Sequence, residues 1–279
     1  MVWLIHFLAA KRAIRRARQD TPVIAKLEKP QAITNLDAIL GVADGVMVAR
    51  GDLGVEMSPE VVPVVQKQII ARARDARVPV ITATQMLESM TQNPRPTRAE
   101  ASDVANAVLD GSDALMLSAE TARGKYPIES VVMMTRIICE AESSVTQFLH
   151  PRGVRGDVAE TTAELICHAS EELQLKAIAV FTETGSTARL ISKHRPRPPI
   201  VALTPFAETR RRLALLWGVL PRNISRVRDT DGLANLAEQR LLEEGLVRRG
   251  DVIGIVAGTP LGSPGTTNFI KLHVITRSR

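Results

Sequence analysis

Four short apolar runs, each followed by a helical pattern, constrain the fold of this chain more than any other feature. The runs lie at residues 23–26, 45–49, 78–83 and 114–117. They are almost continuously apolar, which is typical of parallel strands buried on both faces of a sheet. Ser58-Pro59-Glu60 and the pair Thr97 and Glu100 predict the starts of two of the helices. Such alternation of strands and helices predicts βαβ units and an α/β fold.

A polar break with glycine and proline at residues 151–157 predicts a domain boundary, with one domain at 1–150 and another at 151–279. The pattern of the second domain predicts an open α/β sheet. Its strands are expected at 177–181, 200–203, 216–220, 252–257 and 269–274, and its helices at 161–173, 186–194, 207–215 and 232–244. A length of 279 residues is sufficient for two domains of ordinary size.

The composition is that of a globular protein, with 45% hydrophobic and 24% charged residues. No apolar run approaches the roughly 20 residues of a membrane span. The short apolar stretch at 1–8 precedes basic residues, whereas a secretory signal has the reverse order. Cys139 and Cys167 offer neither metal-ligand spacing nor a disulfide framework. We therefore expect a cytoplasmic protein that does not associate with membranes.

The formal net charge of +6 is compatible with nucleic-acid binding, and basic clusters occur at 15–16, 210–212 and 248–249. However, aromatic residues are only 3% of the chain, and no recognition motif or stacking platform is present. We interpret the clusters as solvated helix faces and expect no nucleic-acid partner.

Three ionisable side chains lie at the ends of the first two predicted strands. Lys26 and Glu28 are two residues apart, so they project to the same side of their strand, and Asp52 follows the next strand. If these strands are parallel neighbours, Glu28 and Asp52 could hold a hard cation such as Mg²⁺, with Lys26 beside it to meet an anion. This outline suits phosphoryl transfer or enolate chemistry. The alternative is two carboxylates that cap loops at the sheet edge.

The segment 47–56 ends an apolar run in a glycine-flanked acidic turn. Ala49, Gly51 and Asp52 present backbone N–H groups where a helix begins, which favours an anion. Glycine at position 51 allows a ligand to approach the backbone closely.

Four further motifs in order carry a resemblance to a known family. They are VITATQMLESM at 80–90, NPRPTRAE at 93–100, SDVANAV at 102–108 and ALMLSAET at 114–121, and they follow VIAKLE at 23–28 and MVARGDLGVE at 47–56. This ordered set closely resembles the pyruvate kinases. The similarity is continuous from about Thr21 to about Ser144, looser from there to the C-terminus, and loose over residues 4–18. Many relatives have Ser-Gly-Glu-Thr where this chain has Ser-Ala-Glu-Thr, which is a mild change.

The resemblance implies the second half of a (β/α)₈ barrel followed by a C-terminal α/β domain. The strand at 23–26 resembles the family's fifth, whereas a whole barrel needs about 250 residues. The first four barrel strands and the inserted lid have no counterpart here. The family's K⁺ site and several of its nucleotide contacts are therefore expected to be absent, as in the C-terminal half of an enzyme.

The resemblance also assigns roles around the metal. It implies that Glu28 and Asp52 bind Mg²⁺ or Mn²⁺ and that Lys26 stabilises charge on the transferred phosphoryl group. The substrate carboxylate would contact Ala49, Gly51 and Asp52.

Three further residues complete the implied catalytic set. Thr84 would contact the same carboxylate and shape protonation of the enolate. Ser118 and Glu120 would belong to a polar network that delivers a proton through water. The hydroxyl of a threonine or serine at a strand end often hydrogen-bonds only to the backbone, and this remains the alternative for Thr84 and Ser118.

A second site is predicted in the C-terminal domain, where two loops rich in glycine and hydroxyl groups follow strands. In pyruvate kinases such loops bind phosphorylated effectors, and Arg189 or Lys193 could add positive charge. The alternative is ordinary helix capping. The candidate residues are Thr182, Thr184, Ser186, Thr187, Gly262 and Gly265.

Three functions remain open at this point. The first is a glycolytic transferase of the pyruvate kinase type, which moves phosphate from phosphoenolpyruvate to ADP. It is expected to be inactive as this isolated chain and to form a homo-oligomer (a tetramer in the family). The second is a non-catalytic piece that binds an effector and supports assembly. The third is a metal-dependent aldolase of the phosphoenolpyruvate/pyruvate type. Residues 1–7 are expected to be able to add one strand beside 23–26.

Overall fold

The computed structural model describes residues 2–144, 157–227, 229–261 and 266–276. The chain divides into two compact units, Met1–Gln147 and Phe148–Arg279. The predicted boundary between 150 and 151 lies outside the described residues and stays a prediction. None of the helices in the described segments has the length and apolar character needed to cross a bilayer.

The first unit contains one parallel sheet in the order β1-β2-β3-β4. Its strands are β1 (Ile24–Leu27), β2 (Gly45–Ala49), β3 (Val80–Ala83) and β4 (Ala114–Met116). Its helices are α1 (Val2–Arg16), α2 (Pro30–Thr34), α3 (Leu36–Leu40), α4 (Arg50–Glu56), α5 (Val62–Asp75), α6 (Arg98–Leu109), α7 (Ala119–Ala122) and α8 (Pro127–Ser143). A 3₁₀ turn spans Glu88–Thr91. The four predicted strands and their parallel arrangement are confirmed, with ends shifted by one or two residues.

The inner strands β2 and β3 form because their apolar side chains are covered on both faces, whereas β1 and β4 are only partly buried. Val46, Val48 and Val80 are fully buried and pack with Ile69 and Ile70 of α5. A second cluster lies beyond β3, where Met86, Leu87 and Met90 pack against Val104 and Ala107 of α6 and Met134 of α8. Burial of this kind contributes about 1.5–3 kcal/mol for each large aliphatic side chain.

The amino ends of the strands are tied together by aspartates. Asp44 lies just before β2, and its carboxylate accepts from Val23 N at 2.8 Å and from Lys11 Nζ at 2.9 Å. Asp113 has the same position before β4 and accepts from Val80 N at 2.8 Å. Each carboxylate thus satisfies a backbone donor of the neighbouring strand.

The expectation that residues 1–7 add a strand beside β1 is wrong, because these residues belong to helix α1 from Val2 onward. Phe7, Lys11 and Ile14 have helical spacing, and all three are partly buried while their neighbours are mostly exposed. Lys11 anchors the helix by donating to Val42 O at 2.7 Å. Helical amphipathicity therefore prevails over the apolar run at the start of the chain.

The two predicted helix starts had different outcomes. Thr97 and Glu100 form a complete capping box, as predicted. The start at Ser58 is wrong, because α5 begins at Val62 with Pro63 in its first turn. Val61 N donates to Ser58 O at 3.0 Å, so the serine begins a turn rather than the helix.

The second unit contains a five-stranded sheet in the order β7-β6-β5-β8-β9, in which β9 runs antiparallel to β8 and the other pairs are parallel. The strands are β5 (Ala177–Phe181), β6 (Ile200–Thr204), β7 (Val219–Asn223), β8 (Val252–Ala257) and β9 (Phe269–Val274). The helices are α9 (Val158–Glu172), α10 (Ser186–Lys193), α11 (Ala207–Leu213) and α12 (Thr230–Glu243). Two apolar clusters, one on each face of β5 and β6, form its core.

The predicted strand at 216–220 lies three residues too early. Leu216 is buried but closes a turn onto Leu213, and Gly218 has a positive φ of 67°. The strand begins only at Val219 and includes Pro221, which an edge strand tolerates because its missing donor does not disrupt an inner ladder.

Candidate active site

Lys26, Glu28 and Asp52 meet at the carboxyl edge of the first sheet. The Nζ of Lys26 donates to Glu28 Oε2 and to Asp52 Oδ2, both at 2.6 Å. Their side chains are between one third and one half exposed. The three residues predicted to cluster are therefore brought together in an open, water-accessible site.

The parallel register explains this meeting. Lys26 pairs with Met47, so Glu28 leaves β1 at the level where β2 ends. Ala49, the last residue of β2, is the N-cap of α4, which places Asp52 in the first turn of that helix. The charge of Asp52 is also favourable there, because the amino end of a helix carries partial positive charge.

The site fits a divalent cation on the evidence of its own contacts. Two carboxylates converge on one cationic group, the Lys26 ammonium, so the same pair of oxygens could converge on a metal ion. Among the described residues there is no group of three or more His, Cys, Asp or Glu side chains able to hold a metal. Two protein carboxylates suffice for Mg²⁺ only when water and substrate oxygens complete its shell.

Gly51 and Thr84 form a second part of the same edge. Gly51 N donates to Thr84 Oγ1 at 2.8 Å, and this hydroxyl donates to Ala83 O at 2.7 Å. A Cβ added at Gly51 would lie 3.3 Å from Thr84 Oγ1, tighter than ordinary contact. A ligand was predicted to approach the backbone closely at Gly51. In the structure, the group in close contact with this backbone is the Thr84 hydroxyl.

Thr84 and the next residue have an unusual backbone. Their φ angles are 70° for Thr84 and 53° for Gln85, both in the left-handed region. Each such non-glycine residue costs on the order of 1–3 kcal/mol, and such residues concentrate at functional sites. The turn after β3 is therefore held against its intrinsic preference.

Sequence reasoning did not single out Arg50, which is the residue that contacts this turn. Its side chain is 9% exposed and forms an ion pair with Asp103 of α6 at 2.5 Å. Its Nη2 donates to Thr84 O at 2.7 Å and to Gln85 O at 2.9 Å. The only signal in the sequence is an arginine between an apolar strand and a Gly-Asp turn, which does not reveal its partners.

Ser118 and Glu120 are brought together at the start of α7, where the side chain of Glu120 accepts hydrogen bonds from backbone amides. The carboxylate of Glu120 is fully buried and accepts from Leu87 N at 3.0 Å and from Ser118 N at 2.7 Å. Within the described part of the chain, the buried hydroxyl oxygen of Ser118 has no hydrogen-bond partner. The pair thus fixes the loop after β4 to the segment after β3.

In the second unit, the predicted effector loop borders a cavity of about 560 Å³. Its described lining combines hydroxyl groups with apolar side chains such as Phe181, Leu203 and Leu233. Arg226, which sequence reasoning missed, lines the cavity, whereas Arg189 and Lys193 are not among the described lining residues. Lys193 is 1% exposed, so the suggestion that it supplies charge to this loop is wrong.

The four hydroxyl residues of this loop differ in their roles. Thr182 Oγ1 accepts from Gly185 N at 2.9 Å, and Thr187 Oγ1 pairs with Thr267 Oγ1 at 2.7 Å in the interior. Thr184 and Ser186 are less buried and hydrogen-bond to each other at 3.1 Å. Gly262 and Gly265, the other candidates, lie outside the described residues.

The contacts of Lys26 predict how its charge depends on pH. Hydrogen bonds to Asp52 and then Glu28 raise the pKa of Lys26 above its usual value. A raised lysine pKa stabilises the fold below the unfolded-state value of about 10.4, and this contribution is lost as pH rises through the folded-state pKa. Asp52→Asn and Glu28→Gln should each lower the pKa of Lys26 in an NMR titration of its side chain. Asp37→Asn is the matched control, and an unchanged pKa in both site variants would contradict the assignment.

Comparison with known proteins agrees with this geometry. A family model described as the pyruvate kinase barrel domain matches residues 7–131, and one described as the pyruvate kinase alpha/beta domain matches residues 160–273. The barrel match begins inside α1, so the similarity extends further toward the amino terminus than the motifs indicated. The predicted architecture, part of a barrel followed by an open α/β domain, is confirmed.

Individual relatives give the same result. The chain is 46% identical to a pyruvate kinase of Clostridium acetobutylicum over 263 residues, which is 92% of this chain and 55% of that protein. It is 49% identical to a pyruvate kinase of Mycobacterium tuberculosis over 93% of this chain and 55% of that protein. A crystal structure of a pyruvate kinase from Cryptosporidium parvum superposes with a TM-score of 0.84 at 38% identity, covering 92% of this chain and 52% of that chain. The chain thus spans about half the length of the relatives it matches, and with both domain matches it belongs to the pyruvate kinase family.

Proposed function

We propose that the first unit carries the metal- and phosphoenolpyruvate-binding part of a pyruvate kinase site. The observation that supports this most is the convergence of Glu28, Asp52 and Lys26 at one sheet edge, with contacts of 2.6 Å. A Mg²⁺ or Mn²⁺ ion held by the two carboxylates would supply charge stabilisation for the phosphoryl and enolate oxygens. The Lys26 ammonium would stabilise the charge of the phosphoryl group during transfer to ADP.

The remaining residues of this edge suit the pyruvate part of the substrate. The backbone N–H groups of the Ala49–Asp52 turn would bind the substrate carboxylate at the start of α4, with the Gly51 N–H shared between this carboxylate and Thr84 Oγ1. The Thr84 hydroxyl would contact the same carboxylate and guide protonation of the enolate. We propose that Ser118 and Glu120 order the water that delivers this proton.

Catalysis also requires groups that these 279 residues do not supply. Among the described residues, no strand pairs with the outer edge of β1 or of β4, so the four strands do not form a closed barrel around the site. Alignment of the reactants and exclusion of water are large parts of the rate enhancement. We therefore propose that the whole reaction, its K⁺ requirement and its oligomeric, cytoplasmic form belong to a complete enzyme of about twice this length.

A turnover assay tests the first part of this proposal. A purified polypeptide of residues 1–279 should convert phosphoenolpyruvate and ADP with negligible rate, because the nucleotide and monovalent-cation contacts of the family's first barrel strands and lid are expected to be missing. Turnover near the enzyme median of about 10 per second would contradict the expectation. An aldol-cleavage assay on the same sample tests the aldolase alternative, which shares the metal–enolate chemistry.

Binding of a substrate analogue tests the site without catalysis. Oxalate resembles the enolate of pyruvate, and calorimetry should detect weak oxalate binding that depends on Mg²⁺. Glu28→Ala combined with Asp52→Ala should abolish it, because both carboxylate ligands are lost. The control is Asp37→Ala with Glu129→Ala, which removes the same charge at exposed positions. Equal oxalate affinity in the two double variants would place the metal elsewhere.

The cavity of the second unit supports a second, non-catalytic function. We propose that a phosphorylated metabolite binds there, with Thr184 and Ser186 donating to its phosphate at the start of α10. Arg226 supplies a positive charge at the cavity and lies 5.4 Å above the ring of Phe206. Glu183 lies 3.8 Å from Arg226 and reduces the net charge available to a phosphate. Thr182 and Thr187 are proposed to maintain the loop, because their hydroxyls already have internal partners.

NMR titration of the full chain tests this binding. Sugar phosphates, nucleotides and inorganic phosphate are added in turn, and the amides of residues 182–187 should shift with at least one of them. Ser186→Glu should weaken the response at least tenfold through charge repulsion. Thr161→Glu, an equivalent change on the exposed face of α9, is the control. If no ligand shifts these amides, helix capping is the better explanation of the loop.

A further inference from the structure

Arg50 is a charged residue that the first unit buries at the carboxyl edge of its sheet. Its Nη2 donates to Thr84 O at 2.7 Å and to Gln85 O at 2.9 Å, and its Nε donates to Thr84 O at 3.2 Å. Nη2 also lies 2.8 Å from the sulfur of Met86. One guanidinium therefore contacts three consecutive residues of the turn after β3.

The opposite side of the guanidinium is fixed by Asp103. Arg50 Nη1 lies 2.5 Å from Asp103 Oδ2, so α6 determines where the group points. A planar guanidinium can serve a carboxylate on one side and carbonyl oxygens on another, whereas a lysine ammonium is a single point charge. The contact set is thus specific to arginine.

The residues that Arg50 contacts are the two left-handed ones. Thr84 and Gln85 have φ angles of 70° and 53°, which non-glycine residues adopt only when their surroundings stabilise this conformation. Hydrogen bonds to both of their carbonyl oxygens fix the orientation of these peptide groups. Arg50 provides such bonds from a buried position, and its ion pair with Asp103 keeps it there.

Thr84 is held from its other end by the residue next to Arg50. Gly51 N donates to Thr84 Oγ1 at 2.8 Å. As the second residue of α4, Gly51 has no intrahelical acceptor for this N–H group. The side chain of residue 50 and the backbone of residue 51 therefore contact the carbonyl and the hydroxyl of the same threonine.

We infer that Arg50 is the positioning residue of this site. It keeps Thr84 and Gln85 left-handed and thereby holds the Thr84 hydroxyl on the Gly51 amide. The consequence for substrate binding rests on the proposed function, since these two groups are the ones assigned to the substrate carboxylate. The geometric part of the inference is independent of that assignment.

Local hydrogen exchange tests the geometric part. The Gly51 amide depends on Thr84 Oγ1 for protection, so Thr84→Val should accelerate its exchange at least tenfold relative to Val48 in the buried ladder of β2. Arg50→Lys keeps the positive charge but loses the planar guanidinium with its several N–H donors. It should therefore produce a similar local acceleration of exchange. In the double variant, the Gly51 amide should exchange no faster than in Thr84→Val alone, because both substitutions remove the same hydrogen bond from Gly51 N to Thr84 Oγ1. Arg72→Lys, at an exposed ion pair with Asp37, is the matched control and should change nothing.

Each contrary outcome overturns the inference. An unchanged exchange rate of the Gly51 amide in Arg50→Lys would mean that the turn after β3 keeps its conformation without the Arg50 guanidinium. Equal acceleration at Gly51 and Val48 would mean that Arg50 serves only global stability. Rate increases that multiply in the double variant would mean that Arg50 and Thr84 protect the amide independently.

Oxalate calorimetry separates this inference from the proposed function. If wild-type chain binds oxalate with Mg²⁺, Arg50→Lys should weaken that binding at least tenfold, and unchanged affinity would contradict the link to the substrate. If wild-type chain binds no oxalate while Gly51 exchange responds as expected, the proposed function fails and the positioning role of Arg50 stands.

Discussion

Parallel pairing of β1, β2 and β3 in a fixed register is the constraint on which the candidate site depends. Lys26 is paired with Met47, and Ala49 with Ala83, so the three strands end at one level. The chemistry-bearing residues lie at these ends, with Lys26 near the end of β1 and Glu28 and Asp52 just after β1 and β2. A slip of one residue would turn each side chain to the opposite face and separate Lys26 from Asp52. The buried valines of β2 and β3 resist such a slip, because Val46, Val48 and Val80 pack with Ile69 and Ile70 of α5 and would lose these contacts.

The sequence predicts this part well, because the relevant signals are short-range. Continuous apolar runs locate the strands, and the two-residue spacing places Lys26 and Glu28 on one side. The capping box at Thr97 is equally local, since both of its partners are within three residues. Errors arise where two local signals compete, as at residues 1–7, where an apolar run suggests a strand and the helical spacing of Phe7, Lys11 and Ile14 prevails.

The turn after β3 could not be predicted from the sequence. Neither Thr84 nor Gln85 is a residue that signals a positive φ, and the contacts that hold them come from 34 and 35 positions away along the chain. Burial of Lys193 is hidden for a similar reason. Its helix carries a polar pattern, and only the packing around α10 places that ammonium group in the interior. Long-range contacts of single polar side chains produce no periodic pattern in the sequence from which they could be predicted.

The aspartates before β2 and β4 have a consequence for how this fold can change over time. Asp44 and Asp113 secure the amino edge of the sheet through backbone donors, at the end opposite Lys26, Glu28 and Asp52. Asp44 and Asp113, which link neighbouring strands at the amino edge, are therefore not among the residues proposed to do chemistry. Substitutions at one edge are selected for reactivity and at the other for folding, with little conflict between them. In a sheet of this kind, residues at the carboxyl edge can be substituted while the aspartates at the amino edge still stabilise the fold. The reaction can therefore change, or be lost, without loss of the scaffold.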